Sequence, residues 1–416
     1  MSGSEDRGSE DRASEDRATM RRVLLVLATS GGGTGRHVAE LACGLAAPPP
    51  TADQATGSDH ATGPDHSTRS DHEGLIVTVA APRGTLAALE LPPDVARAEL
   101  AVHTRPSLRR DLATVLALRR LAAGADAVHA HGVRAGALAV LAARTLQHRP
   151  AVVVTAHNAA VGGRGVRAVH ALLTTVVARG ADAVLGVSGD LVDELHARGA
   201  RDAGRALVPA PPLPAPSADS TAVRAALGVP DGTALLLTVA RLAPQKGLDV
   251  LAAAVRAVAA RRPDLPLLAV VAGEGPLEEQ LRQVATSGIP LRLLGARRDV
   301  ADLLAAADLV VVPSRWEGQP LIVQEALHAG AAILATDAGG TPEVTGDAAV
   351  LVPPGDAAAL AGALERLLEE PAERQRLRAA ARVRATLLPT AADALEQVAS
   401  LLGRVAAREV RAGPGR

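Results

Sequence analysis

The 416-residue sequence contains no phenylalanine and no tyrosine, one tryptophan (Trp316) and one cysteine (Cys43). Without Phe or Tyr, the core has to be filled by Leu, Val and Ala. A lone cysteine excludes an intrachain disulfide and fits a reducing compartment. Lysine is almost absent: of the 44 basic residues only Lys246 is not arginine. Asparagine occurs once, at Asn158. The formal net charge is −1, which argues against a nucleic-acid binder built on phosphate neutralisation. No apolar run approaches the ~18–20 residues that span a bilayer. The opening repeat GSEDR, GSEDR, ASEDR has no apolar stretch of the kind that forms a secretory signal. A cytoplasmic protein is expected.

The length suggests two or three domains. Residues 1–20 read as a disordered tail of alternating acid and base. A low-complexity stretch at 47–73 holds Asp59-His60, Asp65-His66 and Asp71-His72, six residues apart. It reads as a drifting repeat in a long surface loop rather than a metal site, and no metal is expected.

Elsewhere, short apolar runs alternate with helical patterns. Val23–Ala28 is followed by the glycine-rich Thr29–Gly35 and a helical pattern from Arg36 to about Leu45. Further strand-like runs are Leu75–Ala80, Ala98–His103, Ala127–His131, Ala151–His157 and Ala183–Val187. Such alternation predicts a parallel, doubly wound sheet. Five prolines between Pro209 and Pro216 make a stiff connector. Strand-like runs then resume at Ala234–Ala240, Leu267–Ala272, Leu291–Leu294, Leu309–Val312, Ala332–Thr336 and Ala349–Val352. The expected fold class is α/β, two Rossmann-like domains at 21–207 and 221–385. A linker at 208–220 would join them, with a helical segment at 386–416. Ligands of such sheets bind beyond the carboxyl ends of the strands, so the cleft between the domains is the expected site.

Several nucleotide chemistries are excluded. After Gly31 and Gly33, the third position of a dinucleotide fingerprint is Arg36. A P-loop would need Ser or Thr after its lysine, and Lys246 precedes Gly247. No G-x-S-x-G elbow occurs.

The second half carries the stronger constellation. Arg241 and Lys246 lie on a loop leaving a strand that ends at Ala240. A planar guanidinium fork and a compact ammonium suit a diphosphate without a metal. That the single lysine stands here, in a chain that otherwise uses Arg, favours a function over a solvated surface pair. In Pro313–Leu327 a strand gives way to a loop, then a helix beginning near Pro320, which suits a first helical position. The amides of Gly318, Gln319, Leu321 and Ile322, with Pro320 between them, open that helix, and free amides there attract phosphate. Glu317 in the loop and Glu325 in the helix could grip different hydroxyls of one ligand. The plainer alternative is a capping acid and a solvated glutamate.

These elements resemble the retaining glycosyltransferases of family 4, with the GT-B fold. The matching elements are Arg241 with Lys246-Gly247, Ala272–Pro276, Leu294-Gly295, Pro313–Ala326 and Ala338–Glu343, across roughly Leu236 to Gly355. The first half matches more loosely, through Gly31–His37, His129–His131 and Thr155–His157.

The resemblance implies that Arg241 and Lys246 hold the donor diphosphate and that Glu325 binds the ribose. Glu317 would orient sugar hydroxyls. The residues from Gly318 to Ile322, together with Gly273 and Glu274, would lie on the donor. The Gly33-Thr34 loop would face diphosphate and acceptor, and His157 the sugar and acceptor. His129 and His131 are expected to be structural. Gln319 stands where the family often has an aromatic or small residue.

The activity so implied is metal-independent transfer of a sugar, with retention, from a nucleotide-diphosphate sugar to an acceptor hydroxyl. The acceptor would be an alcohol, a glycan or a lipid-linked sugar; the Arg/Ala bias of the chain adds inositol phosphates and phosphatidylinositol to the candidates, and the glycine-rich loop does not single them out. The sugar nucleotide is a substrate, so no cofactor is expected. Alternatives are a sugar-nucleotide epimerase of the same fold or a non-catalytic sugar-nucleotide-binding regulator. Arg105, Arg109, Arg110, Arg119 and Arg120 flank an apolar helix at Leu112–Leu121. That pattern suits either a solvated helix face or peripheral contact with anionic lipid.

Overall fold

The computed structural model describes residues 21–28, 32–47, 74–103, 107–159 and 163–412. The tail at 1–20, Gly31, the Asp-His pairs and Arg105 lie outside the described residues. The chain divides into two compact units. One holds the chain up to Gly186, then Val192–Ala206 and everything from Ala392. The other holds Val187–Leu191 and Leu207–Ala391.

The first unit is built on strands β1 (Arg22–Leu27), β2 (Ile76–Ala81), β3 (Ala96–Glu99), β4 (Ala127–His131), β5 (Ala151–Ala156), β6 (Ala183–Gly186) and β7 (Ala203–Arg205). Their order in the sheet is β3-β2-β1-β4-β5-β6-β7, with every pairing parallel. The connecting helices are α1 (Gly33–Ala46), α2 (Arg83–Ala88), α3 (Leu108–Ala122), α4 (Val133–Ala143), α5 (Arg164–Gly180) and α6 (Gly189–Ala197), the last of which belongs to the second unit up to Leu191 and to the first from Val192. Strands β4 and β5 are buried throughout, as parallel strands covered on both faces must be.

Two expectations fail here. Strand β3 runs Ala96–Glu99 rather than Ala98–His103. It is an edge strand whose partner β2 ends at Ala81, opposite Glu99, so the ladder runs out. Leu100 and Val102 are buried beyond it, and it is this burial, not strand pairing, that their hydropathy reports. Helix α1 begins at Gly33, so Gly33 and Thr34 form its first turn instead of a loop.

The second unit carries β8 (Ala234–Val239), β9 (Leu267–Ala272), β10 (Leu291–Gly295), β11 (Leu309–Val312), β12 (Ile333–Thr336) and β13 (Val350–Val352). They form a parallel sheet ordered β10-β9-β8-β11-β12-β13. Its helices are α7 (Ser220–Ala226), α8 (Leu248–Arg261), α9 (Glu278–Ala285), α10 (Val300–Ala306), α11 (Leu321–His328), α12 (Thr341–Thr345), α13 (Ala357–Glu369) and α14 (Pro371–Ala385). Alternation along β8 splits the core. Leu236 points into a cluster with Val255, Leu309 and Leu364. Leu235 and Leu237 join Val270, Val310 and Val323 on the opposite face, the two-residue period of a strand. Leu, Val and Ala thus fill both layers without Phe or Tyr.

The last helix, α15 (Ala391–Ala412), belongs to the first unit from Ala392 onward. Gln397 donates to the carbonyl of Arg205 there (2.8 Å). No helix among the described residues is long and apolar enough to cross a membrane.

Candidate functional site

In the second unit, β8 and β11 are adjacent parallel strands, so their carboxyl ends deliver two loops side by side. The first ends in a 3₁₀ turn, Pro244–Lys246, followed by Gly247 at φ 61°. A Cβ on Gly247 would stand 2.0 Å from the carbonyl oxygen of Pro313. Only glycine therefore lets the two loops meet. They are laced by Arg315 N donating to Gln245 O (2.7 Å) and Gln245 Nε2 donating to Trp316 O (2.8 Å).

This lacing brings the lysine onto a carboxylate. Lys246 Nζ donates to Glu317 Oε1 at 2.6 Å, and Ser314 Oγ donates to the same oxygen at 2.6 Å. Glu317 Oε2 accepts no hydrogen bond among the described residues. The carboxylate side chain is 7% exposed and the lysine 23%. A pair so desolvated is costly to break by removing one partner. Arg241, five residues upstream, is exposed and its guanidinium makes no hydrogen bond or ion pair among the described residues.

The β12–α12 loop and the end of β12 hold the backbone on either side of this carboxylate. Gly340 N donates to Glu317 O (2.9 Å). Gly339 has φ 56°, and a Cβ there would fall 1.9 Å from that carbonyl. Thr336 Oγ1 donates to Ser314 O. The loop after β9 closes on the other side, with Leu242 N donating to Glu274 O (2.9 Å). Glu274 itself is exposed, and Gly273 N donates to Gly295 O (2.7 Å).

Helix α11 starts at Leu321 with Pro320 as its N-cap, one residue later than the proline rule suggests. Leu321 and Ile322 present first-turn amides without helical acceptors. Glu325 lies in the second turn, buried. The Gln319 side chain accepts from Val208 N (2.8 Å). Gln324, which sequence reasoning passed over, holds the same linker. It accepts from Ala210 N (2.9 Å) and donates to Val208 O (3.0 Å). Trp316 Nε1 donates to Asp190 Oδ2 (2.9 Å).

In the first unit, four histidines gather at the carboxyl end of the sheet. His129 lies within β4 and His131 ends it, His157 follows β5 and His37 lies in α1; all four are buried. His131 Nδ1 and His157 Nε2 are 3.1 Å apart. His129 Nε2 meets Thr155 Oγ1 at 2.8 Å. The His37 ring stands edge-on to both His131 and His157, with centroids 6.0 and 6.2 Å away.

Burial disfavours the charged form of each. It lowers His37 to about 4 and, with neighbouring histidines adding to it, His129 and His157 to about 3. His131 is pushed well below its ordinary value by the same causes. The cluster is therefore neutral near pH 7. No group of three or more His, Cys, Asp or Glu suited to a metal occurs among the described residues. The strand-end positions of His131 and His157 were visible in the sequence; the contact between them was not.

The structure thus brings Lys246, Glu317 and the start of α11 together in one unit, on loops that also carry Arg241 and Gly318, with the loop of Gly273 and Glu274 bonded to the first of them. Gly33, Thr34 and His157 lie in the other.

A family model described as Glycosyl transferases group 1 matches residues 233–370, and one described as Glycosyltransferase Family 4 matches 68–209. A Corynebacterium glutamicum protein named GDP-mannose-dependent monoacylated alpha-(1-6)-phosphatidylinositol monomannoside mannosyltransferase is 37% identical over 180 residues, 41% of this chain and 47% of that one. A Corynebacterium diphtheriae D-inositol 3-phosphate glycosyltransferase is 34% identical over 199 residues, 45% of this chain and 46% of that one. The chain spans about half the length of these relatives. Among solved structures, Anabaena Alr3699/HepE in complex with UDP and glucose aligns with a TM-score of 0.70 at 19% identity, covering 93% of this chain and all of that one. Sucrose-phosphate synthase from Thermosynechococcus elongatus gives 0.72 at 21%, over 93% of this chain and 100% of that one. At such identities the structures speak for the fold. With both halves matched by models of one family and both sheets matched by its fold, the chain belongs to the family 4 glycosyltransferases of the GT-B fold.

Proposed function

We propose that this protein is an enzyme that moves a sugar from a nucleotide-diphosphate donor to an acceptor hydroxyl, keeping the anomeric configuration and needing no metal. The observation that carries this reading is the Lys246–Glu317 pair at 2.6 Å, on the loop shared with an uncommitted Arg241 and beside the opening turn of α11. Lys246 and Arg241 face the diphosphate and stabilise the charge that develops as it departs. The first-turn amides of α11 add to that field. Glu317 offers its second oxygen to a sugar hydroxyl while Lys246 and Ser314 fix the first. Glu325 receives the ribose, and Gly273, Glu274 and the Gly318–Ile322 turn line the donor. His157, held neutral, and the Gly33-Thr34 turn serve the sugar and acceptor; a neutral imidazole gives or takes a hydrogen bond without adding charge.

The names of the relatives support an inositol-bearing acceptor and a mannose-like or other hexosyl group. The site suits its role only if the protein acts where sugar nucleotides are made, which favours the cytoplasm.

The test is incubation with UDP- and GDP-sugars, with and without inositol phosphate or phosphatidylinositol, followed by mass detection of products. Free nucleoside diphosphate with a glycosylated acceptor supports the reading. An epimerised sugar nucleotide, or intact donor under every condition, refutes it. Activity should survive a chelator, and strict loss there contradicts metal independence.

A further inference from the structure

The exposed apolar side chains are unevenly distributed. Among the described residues, seven of the ten large exposed hydrophobics fall on α3, α4 and α5, consecutive helices of the first unit in which α4 packs against both others. Leu108, Leu112 and Leu116 repeat every four residues on α3, and Leu108 is 92% exposed. Thr114 and Leu118, on the opposite side of the helix, carry its burial. The stripe therefore faces away from the sheet.

Helix α5 shows the pattern differently. Its first two turns are exposed all round, with Val166, Val169 and Leu172 uncovered. Val166 lies on nearly the same helical stripe as buried Val177, three turns earlier. It is exposed because the helix has outrun its core. Both α3 and α5 follow parallel strands of one sheet, so their uncovered amino-terminal turns emerge at the same end of that sheet.

Charge is just as uneven. The three helices contain eight arginines and one acid, Asp111, which is already held by Arg134. The whole chain carries a formal −1. Arg109, Arg110, Arg119, Arg120, Arg164 and Arg167 are exposed and make no ion pair among the described residues.

We infer that this face of the first unit docks on an anionic lipid surface. Arginines draw it to lipid phosphates, and the uncovered leucines and valines enter the headgroup boundary. A second copy meeting the same face would set arginine against arginine. A polynucleotide would leave the leucines in water. The uncovered turns lie at the same end of the sheet as the histidine cluster, so a lipid-borne acceptor would arrive beside His157. That last point alone rests on the proposed transfer.

The experiment is co-sedimentation of the full chain with phosphatidylcholine vesicles, with and without phosphatidylglycerol. Binding is expected only with the anionic lipid, and it should weaken as salt rises. Arg109→Glu with Arg110→Glu should cut binding by about tenfold or more, since each basic residue near such a surface is worth about 1 kcal/mol. Leu108→Gln with Leu112→Gln should also reduce it, whereas Arg282→Glu in the other unit should not. Thermal melting confirms that each variant is folded. Absent binding, equal binding to neutral vesicles, or unaltered binding by both helix variants overturns the inference. Dimerisation abolished by the leucine variants, without vesicle binding, overturns it in favour of a second copy. Because binding is read on lipid alone, failure of the transferase reading leaves this result untouched, and the reverse also holds.

Discussion

His131 Nδ1 lies 3.1 Å from His157 Nε2, and the remaining ring nitrogen of His131, Nε2, is buried without a partner among the described residues. One ring must donate to the other. If His157 donated, His131 would carry its proton on the orphaned Nε2, a buried N–H with no acceptor. If His131 donates, the orphan is only a lone pair, the better-tolerated defect. His131 therefore carries its proton on Nδ1, and His157 must carry its own on Nδ1 as well. His129, whose Nδ1 is the orphan, donates from Nε2 to Thr155.

The first prediction follows. Nitrogen-15 spectra of the histidine side chains at neutral pH should show Nδ1–H tautomers for His131 and His157 and an Nε2–H tautomer for His129. An Nε2–H signal for His131 would contradict the assignment.

The second concerns pH. The folded-state values of these histidines lie below the ordinary 6.5, about 4 for His37 and about 3 for His129 and His157. Below pH 6.5 the unfolded chain takes up protons that the folded chain refuses, so stability falls as pH falls. The loss continues until the folded values are reached. Each histidine contributes a slope of up to ~1.4 kcal/mol per pH unit in that window. Urea midpoints measured from pH 7 down to pH 4.5 should drop steeply, and His129→Gln should flatten the slope. A midpoint independent of pH in this range would show the cluster already charged or solvated.

The third concerns the lysine. Lys246→Ala removes a proposed diphosphate contact and leaves buried Glu317 without its cation. Turnover should fall about 10²-fold, the scale of losing one preorganised donor of this kind. Lys246→Arg should not restore it fully, because a wide planar fork cannot replace a point ammonium 2.6 Å from one carboxylate oxygen. Release of nucleoside diphosphate at saturating donor is the measurement.

Much of this was legible in the sequence, and for identifiable reasons. Parallel strands buried on both faces read as plain apolar runs, so β4, β9 and β11 match expectation to the residue. Glycines at strand ends marked the loops that now carry Lys246 and Glu317. What the sequence could not reveal were pairings across long separations. Lys246 with Glu317, Gln324 with Val208 and His131 with His157 depend on strand order, which no local pattern encodes. The short β7 and α2 escaped because neither carries a sustained period. The start of α1 was misplaced because a glycine-rich first turn looks like a loop.

The fourth prediction isolates that long-range geometry. Gly339 has φ 56°, and a Cβ there would sit 1.9 Å from Glu317 O and 2.9 Å from Trp316 Nε1. Gly339→Ala therefore has to displace the backbone that carries Glu317, in a conformation that alanine itself resists. Donor binding should weaken and the melting temperature should fall by several degrees, as expected for a loss of more than ~1 kcal/mol. Gly362→Ala in α13, where a Cβ meets nothing within 4 Å, replaces glycine inside a helix and should raise stability by ~0.5–1 kcal/mol. If both variants melted alike and bound donor alike, the close approach of the two loops would not be what positions Glu317.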